Sequence, residues 1–188
     1  MDHFETLTFS SETFESLLSR VRESDLSLPT PCENWSVTEL VWHVARASDM
    51  TVLLLAGGTR DDAIKLFDLA APPNVLDECR RALDAQRVSF ADANDLDVVT
   101  HHPMGDVTVA QLFDFRIMDL TLHFWDLARA IGANDEIPDE LVDYVYAMLL
   151  PLEEIIDTIG IFGDGPSHTL EVSASKQEKL LDLSGRRP

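Results

Sequence analysis

Positively charged residues are scarce in this sequence of 188 residues. It has 14 Lys and Arg residues against 34 Asp and Glu residues, so its formal net charge at pH 7 is -20. Nucleic acids and anionic lipids are bound through clusters of basic side chains, so this balance argues strongly against both as partners. An arginine that a helix directs inward is therefore informative, because few basic residues are available.

Cysteines and long apolar runs are scarce as well. The two cysteines, Cys32 and Cys79, cannot form the disulfide framework of a small secreted domain. The sequence does not open with the charged and then apolar segment of a secretory signal, so we expect a reduced, cytoplasmic protein. Its apolar stretches, such as 51–57 and 147–152, are too short to cross a bilayer.

The sequence also lacks internal repeats and low-complexity tracts. A chain of this length can form a core without metals or disulfides, so we predict a single domain over residues 1–188. It has no Ser-His-Asp order, phosphate-binding glycine loop or zinc-finger cysteine spacing. Any chemistry must therefore come from another arrangement.

The apolar pattern that remains is mostly helical. Apolar residues recur every three or four positions and predict helices over 9–26, 36–57, 63–69, 74–91, 108–132, 139–159 and 176–183. Ser10 or Ser11 is a candidate cap of the first helix, Ser36 and Glu39 form a capping box for the second, and Pro151 should kink or split the sixth. Short valine-containing segments on either side of Met104 allow a small β-hairpin. We predict an all-α protein, a four-helix bundle with a crossover segment and this small hairpin.

Two helices carry residues with metal-ligand chemistry. Asp119 and His123 are four residues apart, so a helix places them on one face, one turn apart. His43 lies on the apolar stripe of its own helix and is predicted to point inward, where an imidazole needs a partner. Spacing alone leaves two interpretations open: a shared metal site, or a surface ion pair together with a core histidine.

Three charged residues fall near these positions. Arg46 lies three residues after His43 and Arg116 three before Asp119, so both are candidates to bind a carboxylate of a substrate or thiol cofactor. The alternative for Arg116 is a structural ion pair with Asp119 or with Glu residues. Asp126, three residues after His123, either orients that imidazole or pairs with Arg129.

Other residues with reactive or aromatic side chains favour structural roles. Cys32 has two interpretations, a reactive thiol or a small buried residue, and we favour the second. The indoles of Trp42 and Trp125 are expected to pack rather than to catalyse. The adjacent His101 and His102 should point in different directions within a loop.

Two segments resemble the signatures of a known family. Residues 29–37, Pro-Thr-Pro-Cys-Glu-Asn-Trp-Ser-Val, followed by Leu40 and His43, are similar to the opening signature of the mycothiol-dependent maleylpyruvate isomerase N-terminal-type family, within the DinB-like superfamily. Residues 119–132 resemble its second signature. The tail over 175–188 is similar to the C-terminus of the short, single-domain members.

This resemblance implies a four-helix bundle that holds a divalent metal through His43, Asp119 and His123. Two imidazoles and one carboxylate leave a coordination position open, as in catalytic zinc sites, and nickel or iron also accepts this set. A metal held in this way lowers the pKa of a bound thiol or water. The thiol that the resemblance implies is mycothiol. The isomerase itself has glutamate at the position of Asp119.

We therefore predict a metal-dependent enzyme of the thiol-transferase or isomerase type, which acts on a small molecule, with a homodimer as one possible assembly. The alternative is a non-catalytic metal-binding module with a stress-response or sensor role. An open site over the metal favours the enzyme, whereas a sealed site with four protein ligands favours the module. A third alternative is a hydrogen-bonded core triad without metal.

Overall fold

The computed structural model describes residues 1–162 and 165–188. These residues form two compact units, 1–133 and 134–188. The single domain expected from the sequence stays a prediction. Within the described residues, no helix combines the length and the apolar character that a bilayer span requires.

Helices dominate the first unit, and four of them form a bundle. The helices are α1 (His3–Leu18), α2 (Val37–Leu55), α3 (Arg60–Phe67), α4 (Val75–Ala91) and α5 (Val109–Ile131). Helix α2 packs against α4 and α5, and α1 packs against the same two helices. Phe14, Leu40, Leu83 and Ile117 are fully buried between them. The predicted four-helix bundle is confirmed.

Two capping boxes fix the starts of the helices that carry the candidate ligands. Ser36 and Glu39 cap α2 reciprocally, as their spacing predicts. Thr108 and Gln111 do the same for α5. Helix α5 ends at Gly132, whose φ of 66° lies in the left-handed region that favours glycine.

A small antiparallel hairpin joins α4 to α5, as predicted. Its strands are β1 (Val99–His102) and β2 (Gly105–Thr108), with His102 opposite Gly105. The expectation that His101 and His102 lie in a loop is wrong, because both belong to β1. Alternation along the strand directs them to opposite faces: His101 lies outside beside Asp106, and His102 is buried.

Three helix boundaries differ from the sequence-based expectation. Helix α1 begins at His3 rather than near residue 9, because Asp2 and Glu5 form a capping box whose cap residue, Asp2, lies about two turns before Ser10. It ends at Leu18, and only a 3-10 turn, Glu23–Asp25, follows. Helix α3 begins earlier than expected because Thr59 caps it.

The described residues of the second unit form two α-helices, α6 (Asp139–Leu149) and α7 (Lys176–Leu183), which pack together. Helix α6 ends just before Pro151, and two 3-10 turns, Leu150–Leu152 and Ile156–Ile159, replace the rest of the predicted helix. A proline ring clashes with the preceding helical turn, so the predicted break is confirmed.

Candidate metal centre

The bundle brings His43 on α2 next to Asp119 and His123 on α5. One carboxylate oxygen lies at the centre of the group: Asp119 Oδ1 is 3.1 Å from His43 Nε2 and 3.4 Å from His123 Nε2. One donor atom from each residue lies within 4.8 Å of the other two. His43 and Asp119, which are 76 positions apart in the sequence, therefore have side chains in contact.

The spacing of these donor atoms suits a metal ion. Ligand atoms about 2.1 Å from a tetrahedral zinc ion are about 3.4 Å from one another, close to the two separations above. The side chains of His43, Asp119 and His123 are 26%, 19% and 9% exposed. The group is therefore partly exposed to solvent, most of all at His43.

Arg116 holds the other oxygen of the same carboxylate. Its Nη1 donates to Asp119 Oδ2 at 2.7 Å, its Nε to Gln86 Oε1 at 2.6 Å and its Nη2 to Ser48 Oγ at 3.2 Å. The arginine is 2% exposed. This contact is the structural ion pair that the sequence left as an alternative, and it links α2, α4 and α5 around Asp119.

The charges of the group depend on one another. Burial alone would raise the pKa of the Asp119 carboxyl, but Arg116, His123 and His43 together hold this pKa well below its usual range. Burial alone would lower the pKa of His123, but the Asp119 carboxylate, together with hydrogen bonds between the imidazole and Asp126 and Cys32, raises it well above its usual value. The charges of Arg116, Asp119 and His123 therefore stabilise one another.

Asp126 contacts the far side of the His123 ring. Its Oδ2 lies 2.9 Å from His123 Nδ1, and the residue is fully buried. An N–H on Nδ1 that donates to this carboxylate leaves Nε2 free to act as a ligand, which is how histidine ligands are commonly oriented. Arg129, the other partner considered from the sequence, lies over the ring of Trp125 at 5.2 Å.

Cys32 lies closer to the site than its sequence context suggested. We favoured a small buried residue, but the side chain is half-buried and its Sγ donates to Asp126 Oδ2 at 3.3 Å. The same sulfur is 3.9 Å from His123 Nδ1. Cys32, Asp126 and His123 therefore form a second group of close donor atoms, on the opposite side of the shared imidazole.

Arg46 is placed apart from the three ligands. Its Nη2 lies 2.6 Å from Asp49, and its guanidinium lies over the Trp42 ring at 3.8 Å. None of its described contacts reaches His43, Asp119 or His123. Trp42 also donates from Nε1 to the carbonyl of Leu69, so this arginine and indole fasten the segment after α3 to α2.

Two aromatic rings that the sequence did not mark as site residues border the ligands. The Trp35 ring is 4.8 Å from the His43 ring and 5.9 Å from the His123 ring, and the Phe67 ring is 5.9 Å from His43. Gln86 was also missed. A glutamine on the otherwise apolar inner face of α4, between Leu83 and Phe90, was the available signal.

Comparison with known proteins identifies similar sequences. Residues 8–128 match the family model described as the mycothiol maleylpyruvate isomerase N-terminal domain. Two uncharacterized proteins, from two strains of Mycobacterium tuberculosis, are each 26% identical over 132 residues, which cover 70% of this chain and 69% of theirs. The family suggested by the sequence signatures is confirmed.

Solved structures with the same fold are also found. The crystal structure of a mycothiol-dependent maleylpyruvate isomerase matches with a TM-score of 0.64 and 16% identity, over 79% of this chain and 68% of that one. A histidine-to-alanine mutant of such an isomerase matches with the same TM-score and 15% identity. At these identities the likeness shows the fold, which is a helical bundle as expected from the sequence.

Proposed function

Since the chain belongs to the mycothiol maleylpyruvate isomerase N-terminal domain family, we propose that it is a divalent-metal-dependent enzyme. It uses a low-molecular-weight thiol, mycothiol or one of the same class, in a transfer or isomerisation of a small molecule. The observation that carries the proposal is the convergence of His43, Asp119 and His123, with donor atoms within 4.8 Å of one another. Two free cysteines support a reducing compartment such as the cytoplasm.

The three ligands would be His43 Nε2, Asp119 Oδ1 and His123 Nε2. Zinc is the first candidate, and nickel or iron(II) accepts the same ligand types. When bound, such an ion lowers the pKa of a thiol or water at its open position and so supplies a nucleophile at neutral pH.

Arg116 and Asp126 orient the candidate ligands Asp119 and His123. Arg116 keeps Asp119 ionised and turns Oδ1 toward the imidazoles, because it engages Oδ2 at 2.7 Å. Asp126 holds the Nδ1 proton of His123 at 2.9 Å and so fixes the ring orientation. Neither side chain has to move for the site to form.

The aromatic rings shape the approach to the site. Trp35 and Phe67 border His43, whose side chain is 26% exposed. They exclude water from part of the ligand surface and leave an apolar rim for the substrate. The partial exposure of His43 supports an enzyme over a sealed metal-binding module.

The test is elemental analysis of protein purified without an affinity tag or chelator. We expect about one divalent ion per chain in the parent and loss of the ion in His43→Ala and His123→Ala. His101→Ala, which removes an exposed histidine of the hairpin, is the matched control and should keep the metal. Absence of metal from all four proteins, even after reconstitution with zinc, nickel or iron(II), would overturn the proposal.

A second measurement separates the enzyme from a metal-binding module. Cobalt(II)-substituted protein is titrated with mycothiol, and binding of the thiol sulfur to the ion should add a charge-transfer band in the near ultraviolet. A bound metal without this band, and without turnover of candidate electrophiles, would assign the chain to the module.

A further inference from the structure

Aromatic rings border the most exposed part of the candidate metal centre. The Trp35 ring lies 4.8 Å from the His43 ring, and the Phe67 ring lies 5.9 Å from it; we call these three residues the aromatic edge. Phe67 is 42% exposed, and Ile64, one turn before it on α3, is exposed as well. Apolar side chains exposed next to a few convergent polar groups are typical of small-molecule sites. A ligand that approaches His43 therefore meets apolar surface.

The arginines of the two helices that carry the candidate ligands are engaged within the protein. Arg46 is the one Arg or Lys residue of α2, and its buried guanidinium has Nη2 2.6 Å from Asp49. On α5, the buried Arg116 donates to Asp119 Oδ2 at 2.7 Å. The second arginine of that helix, Arg129, lies in its last turn. Neither Arg46 nor Arg116 can bind a substrate carboxylate without giving up the acidic partner that it has.

The other two elements at the aromatic edge add no unpaired cation either. The turn over 29–36 contains no Lys or Arg. Helix α3 has two basic residues, and both have acidic partners: Arg60 Nη2 is 2.7 Å from Asp106, and Lys65 Nζ is 2.8 Å from Asp62. A carboxylate placed at this edge would displace one of these partners or remain unpaired.

The charges around the aromatic edge are unfavourable to an anion. Trp35 also lines a groove of about 670 Å³, with Glu23 and Glu39 among its other lining residues. Of the described residues that line this groove, none is basic. At the metal centre, the carboxylate of Asp119 and a bound thiolate together would balance the charge of a divalent ion. A carboxylate that leaves water for these surroundings loses its solvation and gains no positive partner.

We propose that the second substrate, the electrophile that receives the thiol sulfur, is an uncharged molecule with an aromatic or other planar apolar group, which packs against Trp35 and Phe67. This inference deepens the proposed function and rests on it. It differs from the interpretation in which Arg46 or Arg116 binds a substrate carboxylate, because both guanidiniums have acidic partners in the protein. The aromatic edge supplies stacking surface for such a group.

A matched pair of electrophiles tests the charge preference. The compounds 4-chloro-3,5-dinitrobenzamide and 4-chloro-3,5-dinitrobenzoate have nearly the same shape and differ in charge. With zinc-loaded protein and mycothiol, the thiol sulfur forms a bond to the ring carbon that carries chlorine, chloride leaves with the bonding electrons, and the thiol proton passes to the buffer.

The measured quantity is kcat/KM divided by the uncatalysed rate constant of the same compound. This ratio should be at least about tenfold higher for the amide than for the benzoate, because the benzoate brings an unpaired charge to the aromatic edge. An equal or higher ratio for the benzoate would overturn the proposal.

Phe67→Arg tests the cause of the preference, because it adds a cation at the aromatic edge. It should raise the ratio for the benzoate and remove most of the advantage of the amide. Val88→Arg is the matched control: Val88 is exposed on α4, so the variant adds the same charge at another place and should keep the parental preference. Equal changes in both variants would assign the preference to the net charge of the protein and refute the role of the aromatic edge.

Binding to metal-free protein provides a readout that needs neither zinc nor turnover. Zinc is left out because a carboxylate could itself occupy the open position of the ion. In ¹H–¹⁵N spectra, 3,5-dinitrobenzamide should shift the indole N–H signal of Trp35, which Trp35→Phe identifies, in a saturable titration. We expect 3,5-dinitrobenzoate to bind at least about tenfold more weakly. Equal binding of the two compounds, or no shift with either, would overturn the proposal.

The two measurements separate this proposal from the proposed function. If the parent binds no zinc, or accelerates neither electrophile, the proposed function fails. The titration of metal-free protein still decides whether the aromatic edge prefers an uncharged planar ligand.

Discussion

Replacing Arg116 by Met keeps most of the length of the side chain and removes all three of its described hydrogen bonds. Asp119 Oδ2, Gln86 Oε1 and Ser48 Oγ each lose a donor in a region where Arg116 is 2% exposed. Water has little access to replace these donors. The Arg116→Met variant therefore tests whether this arginine holds the carboxylate in place.

The expected loss of stability follows from the number of bonds. A hydrogen bond to a charged group contributes about 1.5–3 kcal/mol, so the two short contacts together give about 3–6 kcal/mol. Removing one partner of a buried ion pair gives a similar figure, a loss of about 3–5 kcal/mol. Because the side chain of Asp119 is 19% exposed and water partly compensates, we expect a loss near the lower limit, about 3 kcal/mol.

Urea unfolding of metal-free protein measures this loss. Arg80→Met is the matched control, because Arg80 lies on the surface of α4 in one exposed ion pair with Asp77. It should cost less than about 1 kcal/mol. Equal losses in Arg116→Met and Arg80→Met would refute the conclusion that Arg116 anchors the site.

Three further predictions concern pH and metal binding. Burial, followed by the charges of Arg116 and Arg60, lowers the pKa of His102 from 6.5 to about 4. The neutral His102 therefore contributes its full stabilisation above pH 6.5, and this stabilisation is lost as the pH falls toward 4. The free energy of unfolding of His102→Gln should depend less on pH across this window than that of the parent. Asp126→Asn should weaken zinc binding by about 10–100-fold in equilibrium dialysis, and parental affinity would contradict the proposed orientation of His123. Zinc should raise the melting temperature of the parent and not that of His123→Ala, because a ligand that binds only the folded state stabilises it.

The sequence predicts most of the bundle because its signals are local. Ser36 with Glu39, Thr108 before α5, Gly132 after it and Pro151 beyond α6 each mark a boundary within one helical turn. The predicted start of the first helix is wrong because that prediction also relied on a local signal, the apolar stripe. Its true cap, Asp2 with Glu5, precedes the apolar stripe on which the prediction was based.

The candidate ligands could be inferred because helical periodicity shows which face is buried. His43 lies on the apolar stripe of α2, and Asp119 and His123 are one turn apart on α5. The family signature supplied the link between the two helices, which periodicity alone does not give.

The surroundings of the ligands depend on packing between distant segments. Arg46 follows His43 by nearly one turn, but Asp49 and Trp42 on its own helix hold its guanidinium. Cys32 meets Asp126 across 94 positions of sequence, and Gln86 meets Arg116 across 30. No pattern within a single element reports these contacts.

We propose that His43, Asp119 and His123 hold a divalent metal. X-ray absorption spectroscopy at the zinc edge of the reconstituted protein tests it most directly, because it counts nitrogen, oxygen and sulfur ligands. We predict nitrogen and oxygen ligands at about 2.0–2.1 Å, two of them imidazoles, and no zinc held at this site in His43→Ala. A sulfur ligand at about 2.3 Å, which Cys32 would supply, or a spectrum that His43→Ala leaves unchanged, would contradict it.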